Sequence, residues 1–297
     1  MPPLPRLKPE PIPAIHPLPE YRAEGERKQW YEDMKQVFQV PWMGVVTMAY
    51  AHYPAFFKTL WQGTRALAAS RPFVEAFQGN RIFVEAEVEK LAPPPIGPRL
   101  TTLGYAPREV EDIRRMVEIF SHGNQPYVLL ATLARHLLES GEMAGAKEPE
   151  AAPAFEGRHG PEAAVPFVLM EPHHADASTQ AVYEDIKRVL GLPFINTDYR
   201  AFARWPSYWA LAWDDLRQVA RTPAHEALCQ AVHERCLAEV SRRLPNPGKL
   251  TAVALREAAE HDASFEELRD VCRLFQWLLP GLVVNVAFLR AQLQESA

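Results

Sequence analysis

The sequence predicts an all-α fold made of two homologous helical repeats, an intrachain pseudo-dimer around a central cleft. Three observations favour this fold class. Apolar residues recur at three- and four-residue spacing over long stretches, as one face of a helix requires. A segment that begins at Tyr31 returns 152 positions later at Tyr183. We find no sustained alternation of apolar and polar residues of the kind that a half-buried strand needs.

The first element is a proline-rich arm, residues 1–25. Eight of the 28 prolines fall within residues 1–20. This composition predicts an extended, polyproline-like arm rather than a packed element.

The two repeats are predicted at 26–140 and 165–297, joined by a linker at 141–164 that is rich in Ala, Gly, Pro and Glu. Ten of 31 aligned pairs are identical between 31–61 and 183–213. The apolar patterns at 110–120 and 265–275 correspond at a shift of 155. The prolines at 41 and 193 predict helix ends, and those at 54 and 206 predict helix starts.

Other local signals complete the helical interpretation. Thr222 followed by Pro223 predicts a capped helix start. Gly123 and Pro126 predict a helix break with Asn124 inside it. The segment 81–91 fits an exposed helix and a strand equally well.

Composition excludes several classes of function. A net charge of −5 with no Lys/Arg-rich block disfavours a nucleic-acid partner. No run approaches 18 consecutive apolar residues and no secretory signal pattern is present, so we expect a cytoplasmic protein without a membrane span. The three cysteines are expected to be buried free thiols. Metal, nucleotide and serine-esterase signatures are all missing.

The two copies disagree at three consecutive pairs, where the first copy is apolar and the second polar. The second copy has Asn196, Thr197 and Asp198 where the first has Gly44, Val45 and Val46. Asp198 follows the Pro193 break, where a helix start offers free backbone N–H groups. One interpretation is an acid that stabilises the helix dipole by about 0.5 kcal/mol; the other is a catalytic carboxylate. The spacing alone does not choose between them.

A second candidate lies in the motif "SHGNQPY", residues 121–127. Its Asn124 can cap a helix or direct an amide at a bound water. Both interpretations stay open on local pattern alone.

Three segments together resemble the group I 2-haloacid dehalogenases, which are cofactor-independent. They are "VPWMGVVTMAYAHYPAFF", "FSHGNQPYVLLATL" and "NTDYRAFARWP". The resemblance runs from about residue 28 to the C-terminus and is weak in 63–100 and 223–262. It implies an all-α pseudo-dimer that replaces the halogen at C2 of a 2-haloacid with hydroxyl and inverts that carbon. It also implies a homodimer, with a small halogenated carboxylic acid and water as the only other partners.

The resemblance assigns roles residue by residue. Asp198 corresponds to the general base that deprotonates water, and Asn124 to the asparagine that holds the same water. Water attacks C2 directly, with no ester intermediate. An ionised base in an apolar setting is poorly hydrated and correspondingly more basic. The substrate-binding candidates are Trp42, Gly44, Val45, Val46, Tyr127, Asn196, Thr197 and Phe275.

Departures from the family pattern bear on the substrate. Val45 replaces a pocket phenylalanine and widens the site, and Phe275 replaces a pocket tyrosine. Asn196 is similar to the asparagine of D-restricted relatives, which indicates D-selectivity. The alternative is a catalytically altered protein that binds small carboxylic acids on the same helical scaffold.

Overall fold

The computed structural model describes residues 4–144, 152–162 and 165–294, which contain twelve α-helices and no β-strand. The predicted all-α class is therefore confirmed. Short 3₁₀ turns lie at Glu20–Arg22 and Glu89–Leu91. The helices are α1 (Gly25–Phe38), α2 (Val45–Tyr50), α3 (Pro54–Ala68), α4 (Arg71–Val88), α5 (Gly97–Thr102), α6 (Pro107–Glu139), α7 (Ala177–Leu190), α8 (Thr197–Phe202), α9 (Pro206–Val219), α10 (Pro223–Arg242), α11 (Ala252–Asp262) and α12 (Phe265–Gln292).

Proline and capping side chains set the helix ends as local chemistry requires. Helices α3 and α9 begin at the prolines that predicted their starts, and α1 and α7 end just before the other two. Helix α10 begins at Pro223, and the His225 N–H donates to the Thr222 hydroxyl at 3.4 Å, so the predicted cap is confirmed. Segment 81–91 is helical through Val88 and closes in a 3₁₀ turn.

The described residues form two compact units. Unit 1 consists of 4–80, 123–144, 152–160 and 230–280; unit 2 consists of 81–122, 161–162, 165–229 and 281–294. Each unit takes residues from both predicted repeats, because α6 and α12 contribute to both units. The repeat boundaries at 26–140 and 165–297 stay a prediction, as does the pseudo-dimeric arrangement of the halves.

Corresponding helices of the two copies begin at a constant offset and have equivalent hydrogen bonds. Helices α1, α2 and α3 in unit 1 begin 152 positions before α7, α8 and α9 in unit 2. The Tyr31 hydroxyl donates to the Leu18 carbonyl at 2.9 Å, and the Tyr183 hydroxyl donates to the Met170 carbonyl at 2.7 Å. The same segment of sequence thus builds the same local structure in each unit.

Residues 4–19 of the arm form no helix. The arm is nevertheless packed, so the prediction of an unpacked segment is wrong. Leu4 is buried, and the Pro5 carbonyl accepts a hydrogen bond from Arg135 at 2.9 Å. The Arg6 guanidinium donates to the Trp277 carbonyl at 3.0 Å. An extended chain has unpaired backbone groups, and here buried side chains of unit 1 supply some of their partners.

The predicted linker at 141–164 is only partly described: 145–151 and 163–164 lie outside the described residues. In the described part, 152–162 forms no helix. An isolated bridge joins Ala154 to Ser70, and the Arg71 N–H donates to the Pro153 carbonyl at 2.8 Å. This stretch is therefore fastened to unit 1 through backbone bonds.

The predicted break at Gly123 and Pro126 is wrong, because α6 runs without interruption through both residues. The helix is buried almost throughout from residue 116 to 138. Burial of that apolar surface outweighs the propensity cost of one glycine and one proline. Tertiary packing therefore determines the continuity of α6, and the local sequence pattern does not show this packing.

Helix α12 is long and apolar enough to cross a membrane by length and composition alone. Its most apolar window is 83% buried inside the structure, which is the character of a core helix. The cysteines Cys229, Cys236 and Cys272 are free and buried, as predicted.

Three histidines in unit 1 are expected to make the protein sensitive to mild acid. Burial lowers the pKa of His136, His159 and His233. The unfolded chain protonates these groups near pH 6.5, before the folded chain does, so the unfolded state binds more protons below that pH. The free energy of unfolding should fall between pH 7 and 5, by at most about 1.4 kcal/mol per pH unit for each histidine.

Urea unfolding at pH 7.5 and 5.5 measures this effect. His233→Gln is the matched variant, because an amide N–H can replace the Nε2 contact with the Leu4 carbonyl, 2.8 Å in the native protein. The variant should show a shallower pH dependence. Equal stability at the two pH values would contradict the assignment.

Candidate active site

Asp198 lies in the first turn of α8, a six-residue helix of unit 2. Its side chain is 2% exposed. An acid that served only the helix dipole would gain about 0.5 kcal/mol and would do so from the surface. Burying a carboxylate costs several times that amount, so the burial of Asp198 favours a chemical function over the dipole interpretation.

Asn196 precedes α8 at the N-cap position but does not cap the helix with its side chain. The residue is 4% exposed, and its Oδ1 has no hydrogen-bond partner among the described residues. A buried amide oxygen without a partner is costly in a folded protein. The amide can present Oδ1 or, turned over, its N–H₂ group, so it is suited to a polar ligand two residues before Asp198.

An arginine fastens α8 to the chain that precedes α7. Arg200 Nη1 lies 2.7 and 2.8 Å from the two carboxylate oxygens of Glu171. Its Nη2 donates to the Thr197 hydroxyl at 3.2 Å. The predicted substrate contact Thr197 therefore has its hydroxyl oxygen engaged, and sequence reasoning missed the ion pair because Glu171 lies outside any motif.

In unit 1 the loop before α2 is held by Tyr127 of α6. The Tyr127 hydroxyl donates to the Trp42 carbonyl at 2.7 Å and interacts with the Gly44 backbone N–H. A Cβ on Gly44 would lie 3.1 Å from the tyrosine ring. Burial raises the pKa of Tyr127, so the hydroxyl stays protonated. This tyrosine holds the loop before α2 through its hydroxyl.

Gly123 allows the Trp42 ring to lie against α6. A Cβ at Gly123 would lie 2.2 Å from the Trp42 Cη2 atom and 2.9 Å from Cζ3. Only a glycine leaves room for the indole at this position. The glycine that predicted a helix break thus makes room for Trp42, one of the predicted substrate-binding residues.

Asn124 is buried in the interior of α6. The capping alternative for this residue is therefore wrong, because α6 begins at Pro107, 17 residues before Asn124. A buried mid-helix amide does not contribute to the helix ladder and must be satisfied by other groups. The other interpretation, an amide directed at a bound water, stays a prediction.

The remaining candidates in unit 1 form apolar surface. Val46 is buried and Val45 is half-buried at the start of α2. Phe275 of α12 is buried and contacts Tyr50 edge to face, with ring centroids 6.0 Å apart. Val46 of the first copy and Asp198 of the second are thus both buried, and the two positions differ in polarity rather than in exposure.

The predicted site residues fall into two groups, one in each unit. Unit 2 contains Asn196, Thr197 and Asp198 on consecutive positions. Unit 1 contains Trp42, Gly44, Val45, Val46, Asn124, Tyr127 and Phe275. Within unit 1, the structure brings together Trp42, Gly44 and Tyr127 by direct contact.

Comparison with known proteins points to one family. No family model matches the chain. It is 49% identical over 249 residues to an (R)-2-haloacid dehalogenase of Rhizobium sp. (strain NHG3), which covers 83% of this chain and 95% of that protein. It is 36% identical to an (R)-2-haloacid dehalogenase of Pseudomonas putida, over 94% of this chain and 92% of that protein. A configuration-inverting 2-haloacid dehalogenase of Alcaligenes xylosoxydans xylosoxydans is 27% identical over 78% of this chain and 79% of that protein.

A solved structure agrees with these sequence relatives. The crystal structure of a D-2-haloacid dehalogenase mutant matches with a TM-score of 0.87 and 34% identity, over 98% of this chain and 99% of that one. This structural match agrees with the all-α architecture described above. The chain belongs to the 2-haloacid dehalogenase family.

Proposed function

We propose that the protein hydrolyses 2-haloalkanoic acids to 2-hydroxyalkanoic acids with inversion at C2, and that it prefers the D (R) enantiomer. Family membership supports the reaction, and the names of the two most similar relatives given above support the enantiomer. The single observation that carries the mechanism is the burial of Asp198 in the first turn of α8. Two residues before it lies an amide whose Oδ1 has no hydrogen-bond partner in the described part of the chain.

In this mechanism Asp198 takes a proton from water while the water oxygen forms a bond to C2. The C–halogen bond breaks, and the halogen leaves as halide with the bonding electron pair. Asn124 holds the same water, and Trp42 receives the departing halide at its ring edge or N–H. Asn196 and the backbone N–H groups around 44–46 or 196–198 hold the substrate carboxylate. Base catalysis of this kind typically contributes a factor of about 10²–10⁴.

Several expectations from the sequence belong to the same proposal. They are a direct attack by water, a cleft lined by both copies, a cytoplasmic location and a homodimer. No metal or cofactor takes part in the proposed reaction.

The test is halide release from (R)- and (S)-2-chloropropionate, with chiral analysis of the lactate formed. We expect (S)-lactate from the (R)-acid and slow turnover of the (S)-acid. Binding of the acid without any halide release would favour the alternative, a carboxylic-acid-binding protein on this scaffold.

A single turnover in ¹⁸O-labelled water, with enzyme in excess, tests the direct attack. The label should enter the hydroxy acid and not the protein. Label in the Asp198 carboxylate would show an ester intermediate and overturn the role of base.

A further inference from the structure

We infer that Tyr199, Asn285 and His225 form a buried positioning chain that sets the direction of the Asp198 carboxylate. This inference rests on the proposed function of Asp198. All four residues belong to unit 2. Asn285 Nδ2 donates to the Tyr199 hydroxyl at 2.9 Å, and Asn285 Oδ1 lies 2.8 Å from His225 Nε2.

The hydrogen bonds of the chain fix the direction of each donor. The Arg221 backbone N–H donates to His225 Nδ1 at 3.3 Å. His225 therefore carries its proton on Nε2 and donates it to Asn285 Oδ1. With its oxygen engaged, the Asn285 amide turns its N–H₂ group to the Tyr199 hydroxyl. The three side chains are only 1–2% exposed, so no bulk water competes for these bonds.

Tyr199 is held at its ring as well as at its hydroxyl. The ring stacks on Trp209 of α9 with centroids 5.2 Å apart and planes at 20°. A helix of six residues is too short to be stable by its own hydrogen bonds. Because both the ring and the hydroxyl of Tyr199 are held, the rotation of α8 about its axis is fixed. The direction of the adjacent Asp198 side chain is fixed with it. A misplacement of about 1 Å can cost about 10²-fold in rate, so this rotation matters to a general base.

The first copy contains neither the catalytic carboxylate nor the side chains of the positioning chain. At the positions 152 earlier, Thr47 replaces Tyr199 and Phe73 replaces His225. At the offset of 155 that relates the long helices, Leu130 replaces Asn285. The first copy packs with apolar side chains at two of these three positions, so the fold does not demand buried polar groups there. Their presence beside Asp198 indicates a function in the reaction.

The experiment uses Tyr199→Phe, Asn285→Leu and their double variant, with Tyr208→Phe as the matched control. Tyr208 is a buried tyrosine of unit 2 whose hydroxyl has no hydrogen-bond partner among the described residues. Tyr199→Phe removes one hydroxyl and keeps the ring on Trp209. We expect kcat per folded enzyme to fall about tenfold in each single variant, with KM within twofold. The double variant should fall no further than the single ones, because both break one chain.

The outcomes separate this inference from the proposed function. If the native enzyme releases no halide from any 2-haloacid tried, the proposed function fails. If the native enzyme is active and Tyr199→Phe equals Tyr208→Phe in kcat, the positioning chain is overturned. Losses that multiply in the double variant would also overturn it. If Asn285→Leu does not fold, the comparison of the two tyrosine variants decides alone.

Discussion

Replacing Asp198 with asparagine is expected to lower kcat for (R)-2-chloropropionate by about a thousandfold. The amide keeps the shape of the side chain in the first turn of α8 but cannot accept a proton from water. The loss should appear in kcat rather than KM, because the substrate carboxylate is held by neighbouring groups. Halide release at saturating substrate measures it, on freshly prepared protein so that deamidation does not restore the aspartate.

Asp185→Asn is the matched control for this variant. Asp185 is also an acid of unit 2, on α7, and accepts a hydrogen bond from the Trp213 indole at 2.8 Å. The Arg188 and Trp213 contacts lower the pKa of Asp185 despite partial burial. This variant should lose some stability and keep its activity per folded molecule. Retention of more than a tenth of the activity in the Asp198 variant would contradict the role of base.

Asparagine is close to aspartate in size and shape, so the Asp198 variant is expected to keep the fold. A thermal scan beside the kinetic assay distinguishes a lost reaction from a lost fold.

The sequence predicted those parts of the fold that depend on residues close to one another along the chain. The helix starts at Pro54 and Pro206 follow from the restricted φ of proline and its missing N–H, which act locally. The continuity of α6 depends on the burial of its apolar surface, and Gly123 within it packs against Trp42, which lies 81 positions earlier in the chain. The residues around Gly123 do not reveal a contact with so distant a residue. The local sequence therefore predicted a helix break at Gly123 and Pro126.

The candidate site shows the same division. Comparison of the two copies singled out Asp198, because its counterpart is Val46 and the contrast needs no coordinates. Asn285 and His225 escaped notice because they lie 87 and 27 residues away, and neither belongs to a motif. A search for polar residues whose counterparts are apolar would have found His225 opposite Phe73. Divergence between repeats is therefore the signal to use across the whole chain.

Gly123→Ala is expected to destabilise the protein by about 2 kcal/mol, although alanine normally stabilises a helix interior relative to glycine. The new Cβ would lie 2.2 Å from the Trp42 ring and 2.9 Å from Val40 Cγ1, so the indole must move. Urea unfolding measures the stability, and the displaced indole should lower activity as well. Gly79→Ala is the matched control, because Gly79 is also in a helix of unit 1 and a Cβ there meets nothing within 4 Å. That variant should gain about 0.5–1 kcal/mol.

A second substitution separates the clash from any effect on the helix itself. The clashing atoms Cη2 and Cζ3 belong to the outer, six-membered ring of the indole. Trp42→Phe gives a shorter side chain that lacks these atoms. In the background of Gly123→Ala, this change should restore part of the lost stability, although Trp42→Phe alone should destabilise the native protein. The sign of that coupling is the decisive measurement. Additive losses would show that the tryptophan is not what requires a glycine at position 123. Equal stability of Gly123→Ala and the native protein would show that no close contact constrains the helix there.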